Sequence, residues 1–178
     1  MAPLVQSFAP VIAPGCHTLI LGSMPGERSL AVAEYYGHPR NAFWPIMGQL
    51  FGFSVALSYP ERLGILNDAG IALWDVMASC EREGSLDTAI VAGSITPNAI
   101  PELLEKYPEI QRIVLNGTAA ATVFRKHIAP RMAAANLRCT LLQAPSTSPA
   151  HASMRPEEKL RVWESLLQMP LPTGQPTG

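Results

Sequence analysis

The 178-residue chain is expected to form an α/β protein, a three-layer α/β/α sandwich on a mostly parallel four-stranded sheet. Three observations lead there. Short apolar, partly β-branched runs recur along the chain and read as strands buried on both faces. Stretches with helical spacing lie between them. Each run is followed by a cluster of small and polar residues, as at the carboxyl edge of a parallel sheet.

The elements follow in order. Thr18 to Gly22 (TLILG) is the first strand, and the turn GSMPG follows it. Phe43, Ile46, Met47, Leu50 and Phe51 keep the i, i+3, i+4, i+7, i+8 spacing of a helix with one apolar face. Ile71 to Asp75 (IALWD) is the second strand, with WDVMASCEREGSLD as the polar cluster at its end. Ile100, Leu103, Leu104 and Tyr107 mark a helix, with Thr96 and Pro97 expected as its cap and first turn. Ile113 to Asn116 (IVLN) is the third strand, and Ala119, Ala120, Val123 and Phe124 mark the helix after it. Cys139 to Leu142 (CTLL) is the fourth strand, followed by QAPSTSPAHAS, and Leu160, Trp163, Leu166 and Leu167 form the last apolar face. One domain is expected over residues 1–168, with the Pro/Gly-rich 169–178 as a flexible tail.

Composition narrows the function. The chain is 48% hydrophobic and 15% charged, without the run of roughly 18 apolar residues a membrane helix needs. The first fifteen residues carry three prolines and no Lys or Arg, unlike a secretory signal, so a cytoplasmic location is expected. Cys16, Cys80 and Cys139 are scattered and form no CxxC pair, and four histidines lack ligand spacing. No metal and no cofactor are therefore expected. Net charge is −1, yet residues 1–111 hold 5 Lys and Arg against 11 Asp and Glu, while residues 112–178 hold 8 against 3. Such asymmetry suits either an anionic partner or a solvated face.

The densest chemical signal is YYGHPRNAFW, residues 35 to 44, which interleaves rings with hydrogen-bonding groups. Residue by residue, Asn41 fits the N-cap of the helix it precedes, and Tyr35, Tyr36, Phe43 and Trp44 fit a core. Together they also supply an aromatic face and fixed polar groups, the requirements of a pocket for an extruded base. In Ser23-Met24-Pro25-Gly26 the backbone is free to approach an anion or a base edge, and the sequence equally suits a plain strand-to-helix turn. Ser146, Thr147, Ser148 and His151 lie in a proline-stiffened loop suited to phosphate oxygens, with Arg155 nearby.

LILGSMPGERSL, YYGHPRNAFW, LNG and APSTSPAHA, in that order, resemble the uracil-DNA glycosylase superfamily and, within it, the hypoxanthine-DNA glycosylase branch. The resemblance runs from about Leu19 to Trp163. It implies a monofunctional glycosylase that hydrolyses the bond between a deaminated base and its deoxyribose in DNA, most of all hypoxanthine, leaving an abasic site for base excision repair. It assigns catalysis to Asn41, base binding to Ser23, Met24, Pro25, Gly26 and either Tyr36 or Phe43, and DNA contacts to His38, Arg40, Ser146, Thr147, Ser148, His151 and Arg155. Asp75 and Asp87 share the same edge and rank below these. Met24 stands where mismatch-specific uracil enzymes carry a catalytic asparagine, and Ala144 where classical uracil enzymes carry a histidine, which turns the expectation from uracil toward a purine. Removal of uracil from mismatches and DNA binding without cleavage are the alternatives. No lysine falls in these motifs, so no imine step is expected, and a monomer is expected.

Overall fold

The computed structural model describes residues 1–172. Its main sheet is built from β2 (Thr18–Gly22), β3 (Ile71–Asp75), β6 (Arg112–Asn116) and β7 (Thr140–Ala144), in the order β3-β2-β6-β7 and parallel throughout. Every residue of β2, β3 and β6 is buried, which requires cover on both faces. The pleat divides the side chains between two cores. Leu19, Leu21, Ala72, Trp74, Ile113 and Leu115 face α4 (Ile100–Lys106), α5 (Thr118–Val123) and α6 (Ala129–Ala134). Ile20, Leu73 and Val114 face α2 (Phe43–Phe51), α3 (Tyr59–Asp68) and α7 (Pro156–Leu167), while the short α1 (Glu27–Val32) follows the turn after β2. This is the α/β/α sandwich expected from the apolar rhythm.

A second sheet was not expected. β1 (Leu4–Gln6), β4 (Met77–Glu81) and β5 (Thr96–Pro97) pair antiparallel in the order β1-β4-β5. Thr96 and Pro97 are therefore strand residues, not a cap and first turn; α4 begins at Ile100, with Pro101 in its first turn. β4 is hidden inside the segment read as a polar cluster, because only Met77 and Cys80 of its five residues are fully covered. The chain changes sheets at Val76, whose N–H still bonds the Gly22 carbonyl at 2.8 Å. Asp75 is thus the last residue of the parallel sheet. The Asn98 amide donates to the carbonyls of Asp75 and Met77 and fixes this crossing.

Local chemistry sets the helix ends. α2 stops at Gly52, whose φ of 72° closes the turn onto the Gly48 carbonyl. α3, which the apolar spacing did not reveal, begins with a reciprocal capping box between Ser58 and Glu61. α5 runs into a wide turn over Phe124–Ile128, where the Ala129 N–H reaches back to the Phe124 carbonyl. Pro130 follows, has no N–H to give and would crowd the carbonyl four residues earlier; the wide turn accommodates it. The fourth strand begins one residue after Cys139 and extends to Ala144. Cys16 and Cys80 are buried, and Cys139 is half-buried.

α7 is held by a buried cation. Arg112, at the start of β6, donates to the carbonyls of Leu166, Leu167 and Met169 and to the Thr18 hydroxyl. Arginine suits this position because its planar fork serves several acceptors at once. Met169 belongs to the segment 169–178 read as a tail; residues 173–178 of that segment lie outside the described residues. Among the described residues, no helix is long and apolar enough to cross a membrane.

Candidate active site

The carboxyl ends of the parallel strands open into a cleft of about 530 Å³. Its floor is the end of β2 and β3, one wall is the turn Ser23 to Gly26, another is the segment from Tyr36 to Asn41, and the lip is the loop after β7. That volume lies within the range of about 300–1,000 Å³ common to small-ligand sites.

The turn is pinned from behind. Arg82, fully buried, donates through one guanidinium nitrogen to the Pro25 carbonyl and through Nε to the Gly84 carbonyl. The Ser23 hydroxyl donates to Asp87 at 2.8 Å, and the Glu27 N–H donates to the Ser85 hydroxyl. Among the described residues, the backbone N–H groups of Ser23, Met24 and Gly26 have no acceptor. They form a fixed set of donors at the cleft wall.

Asn41 combines two functions that sequence reading treats as alternatives. Its Oδ1 accepts the Phe43 N–H at 2.9 Å, which anchors the first turn of α2, and the residue also lines the cleft. The helix-end bond fixes the rotamer of the amide, and the remaining amide hydrogen-bonding capacity is available to the cleft. The formal cap residue is Ala42, whose N–H donates to the Thr147 carbonyl and ties this segment to the lip.

The aromatic residues sort by depth. Phe43 is fully buried and lies outside the cleft, against Trp163 and beneath Tyr36. Tyr36 lines the cleft, stacked on Phe43 with centroids 4.0 Å apart and planes at 26°. Its φ of 56° is uncommon for a bulky residue and marks local strain. Its buried hydroxyl has no partner in hydrogen-bond geometry among the described residues, though the Asn116 side chain lies near enough to oppose the shift in its pKa. Burial first, then the nearby Asp75 charge, push its pKa well above that of an ordinary tyrosine.

Asp75 is 3% exposed, lines the cleft floor and, among the described residues, makes no hydrogen bond through its side chain, with Oδ2 fully buried. Burial, reinforced by the Asp87 charge and opposed by Arg82, pushes its pKa up to about 7. Gly22 is required beside it, since a Cβ there would lie 2.6 Å from Asp75 Oδ1 and 3.2 Å from the Tyr36 hydroxyl. Asp87 is also shifted upward, by burial, against the opposing effects of the Ser23 hydroxyl and Arg82.

The lip is built by α7 and Asn116. The buried Asn116 amide donates to the Thr147 hydroxyl and accepts the Thr147 N–H, both at 3.0 Å. The Trp163 indole donates to the Pro145 carbonyl, and buried Lys159 donates to the His151 carbonyl at 2.7 Å. Ser146 and Ser148 accept backbone N–H groups two residues ahead, making the loop stiff. The LNG motif contains Asn116, to which the sequence assigns no role. Its signal was a polar residue closing an otherwise apolar strand.

The expected site residues therefore divide cleanly. Ser23, Met24, Pro25, Gly26, Tyr36, His38, Asn41, Ser146, Thr147, Ser148 and His151 all line the cleft. Phe43, Arg40 and Arg155 do not; the two arginines lie exposed beyond it. The positive charge of the later segment is also partly structural. Arg112 and Lys159 are buried, and Arg131 pairs with Glu102. Among the described residues, no group of three or more His, Cys, Asp or Glu side chains is placed to hold a metal ion.

A parallel α/β sandwich with a strand-edge cleft, an aromatic wall and a polar floor has the form of a small-ligand site. The comparisons make this specific. The model of the uracil DNA glycosylase superfamily matches residues 9–167, and the chain belongs to that superfamily. Proteins of Methanosarcina named hypoxanthine DNA glycosylase are similar to it. The one from M. barkeri is 39% identical over 113 residues, 63% of this chain and 70% of the relative. The one from M. acetivorans is 35% identical over 116 residues, 65% and 72% respectively. A solution NMR structure from M. acetivorans, provisionally named a uracil DNA glycosylase, superposes with a TM-score of 0.71 at 31% identity, covering 92% of this chain and 99% of that one.

Proposed function

We propose that this chain is a monofunctional DNA glycosylase that removes deaminated bases, hypoxanthine foremost, by hydrolysis and leaves an abasic site. The observation that carries the reading is Asn41: it lines a cleft together with Ser23, Met24 and Gly26, whose backbone N–H groups have no acceptor among the described residues. The two relatives named hypoxanthine DNA glycosylase support the choice of base.

The extruded base enters the cleft and stacks on Tyr36, with Phe43 supporting that ring from beneath. Asn41 orients a water molecule toward C1′ on the face opposite the departing base. The carbon–nitrogen bond breaks through an oxocarbenium-like transition state, as in other glycosidic cleavages. Asn41 contributes position rather than basicity, and position alone supplies a large share of such a barrier. The turn donors accept the negative charge that develops on the base. Lysine is absent from the residues lining the cleft, and no step requires an imine. Ser146, Ser148, His151 and His38 meet the DNA backbone beside the target, with Arg40 and Arg155 farther out. The domain acts over residues 1–168 as a monomer, without a metal.

Hypoxanthine presents an N1 hydrogen and an O6 acceptor, the reverse of adenine's edge, so fixed donors and acceptors separate the two. Cleavage of duplexes carrying hypoxanthine, uracil or no lesion, followed on a denaturing gel after alkali treatment, tests the reading. Hypoxanthine should be released well above uracil under single-turnover conditions. Release of uracil at an equal or greater rate would assign the protein to uracil removal, and binding without any release would make it a non-catalytic module.

A further inference from the structure

We infer that Asp75 is a second catalytic residue, the acid that protonates the base as it leaves. The inference rests on the glycosylase reading above and assigns a role in it to a side chain that the water-positioning step does not use.

The geometry carries it. Asp75 ends the strand that forms the cleft floor and is nearly inaccessible, and the described residues offer its carboxyl group no hydrogen bond. Leaving a buried carboxylate unpaired is costly, and a fold normally supplies a partner. Here the neighbouring Tyr36 hydroxyl also lacks a partner in hydrogen-bond geometry among the described residues, with the Asn116 side chain nearby, and both groups converge above Gly22, where no side chain fits. Two unsatisfied polar groups around a space kept clear by glycine form a receptor for a polar ligand edge.

The groups facing Asp75 set its charge state. Asp87 from the neighbouring loop disfavours its ionised form and Arg82 favours it, while Tyr36, with Tyr35 behind, offers no positive charge. Burial dominates, and the carboxyl group titrates near neutrality. The protonated form is the one that suits a departing base, because an ionised carboxylate would repel the developing negative charge.

The step balances as follows. The bond between C1′ and the base nitrogen breaks, with its electron pair remaining on the base. The Asp75 carboxyl proton passes to the base. The water held by Asn41 bonds to C1′ through oxygen and releases a proton to solvent, from which the Asp75 carboxylate is reprotonated. The products are free neutral base and an abasic sugar.

The test is the pH dependence of single-turnover release from hypoxanthine duplexes. The wild-type rate should be level below an inflection near neutrality and fall about tenfold per pH unit above it, as the acid form is depleted. Asp75→Asn, a neutral donor that cannot transfer a proton, should be slower at low pH and show no such inflection. His38 and His151 line the same cleft, so loss of the inflection in Asp75→Asn is what assigns it to Asp75. The wild-type protein also provides a check independent of any variant: the Asp75 carboxyl carbon, followed by NMR, should titrate at the kinetic inflection. An inflection that survives in Asp75→Asn, or a carboxyl that titrates as an ordinary aspartate, overturns the inference and leaves hypoxanthine release standing. A wild-type protein that releases no base at any pH overturns the glycosylase reading, and this inference with it.

Discussion

Asn41 provides the sharpest test because its structural and chemical tasks use different atoms of one amide. Oδ1 accepts the Phe43 N–H at 2.9 Å, and the amide nitrogen has no such duty in the helix. Asn41→Asp retains an oxygen acceptor for that N–H and removes the amide donor. Asn41→Ala removes both. Loss of a side-chain bond at a helix start costs about 1 kcal/mol, which for a chain of this size lowers Tm by about 2–4 °C. Asn41→Ala should show that fall, while Asn41→Asp should melt close to the wild type. Both should lose activity alike. A misplaced water costs roughly 100-fold in rate, equivalent to about 2.7 kcal/mol in the barrier. Thermal melts and single-turnover release of hypoxanthine measure the two effects separately. Release by Asn41→Asp at the wild-type rate would refute the catalytic assignment, and an Asn41→Asp melt as low as that of Asn41→Ala would refute the capping geometry.

Four further outcomes are expected. Gly22→Ala should fold with a disturbed floor and lose activity, since its Cβ meets Asp75 and Tyr36; unchanged release kinetics would show that the floor has room to spare. Stability should depend on pH through Asp75: its folded pKa of about 7 lies above the unfolded value, so its contribution is present at acid pH and lost as pH rises toward 7. Asp75→Asn should therefore raise Tm more at pH 8 than at pH 5, and a uniform shift across that range would contradict the assigned titration. DNA affinity should fall with added salt by roughly 0.9 log units per log unit for each phosphate neutralised, and Arg40→Ala should reduce that slope by about one contact; a flat response would remove the backbone-contact reading. Lys159→Met should loosen the lip by losing the bond to the His151 carbonyl, weakening DNA binding more than it lowers Tm; intact binding would separate α7 from the site.

The sequence made the parallel sheet legible because its strands are buried on both faces and so read as unbroken apolar runs, with errors of one or two residues at their ends. The small antiparallel sheet lacked that signal. β5 is two residues long, and β4 mixes Ser79 and Glu81 with Met77 and Cys80, so neither differs in composition from a loop. α3 was also missed, since its exposed face carries most of its length and only Leu66 is fully buried. Within the site, the wall, Asn41 and the lip could be read from local motifs. Phe43 could not be separated from Tyr36, since which of two nearby rings points into a cleft depends on how α2 rolls against the sheet. The isolation of Asp75 could not be read for a related reason: a carboxylate at a strand end is ordinary in sequence, and only the packing around it leaves it without a partner among the described residues.

The lip has an implication for how the protein comes into being. Its shape depends on Trp163 and Lys159, and the helix carrying them is moored by Arg112 through carbonyls as far along as Met169. Translation delivers the turn, Asn41 and Asp75 early, and these tethers last. Until that helix emerges, the sheet face carrying Ile20, Leu73 and Val114 lacks the Trp163 side chain that packs into its core, and the loop after β7 lacks its tethers. Core and lip are therefore completed in the same late step.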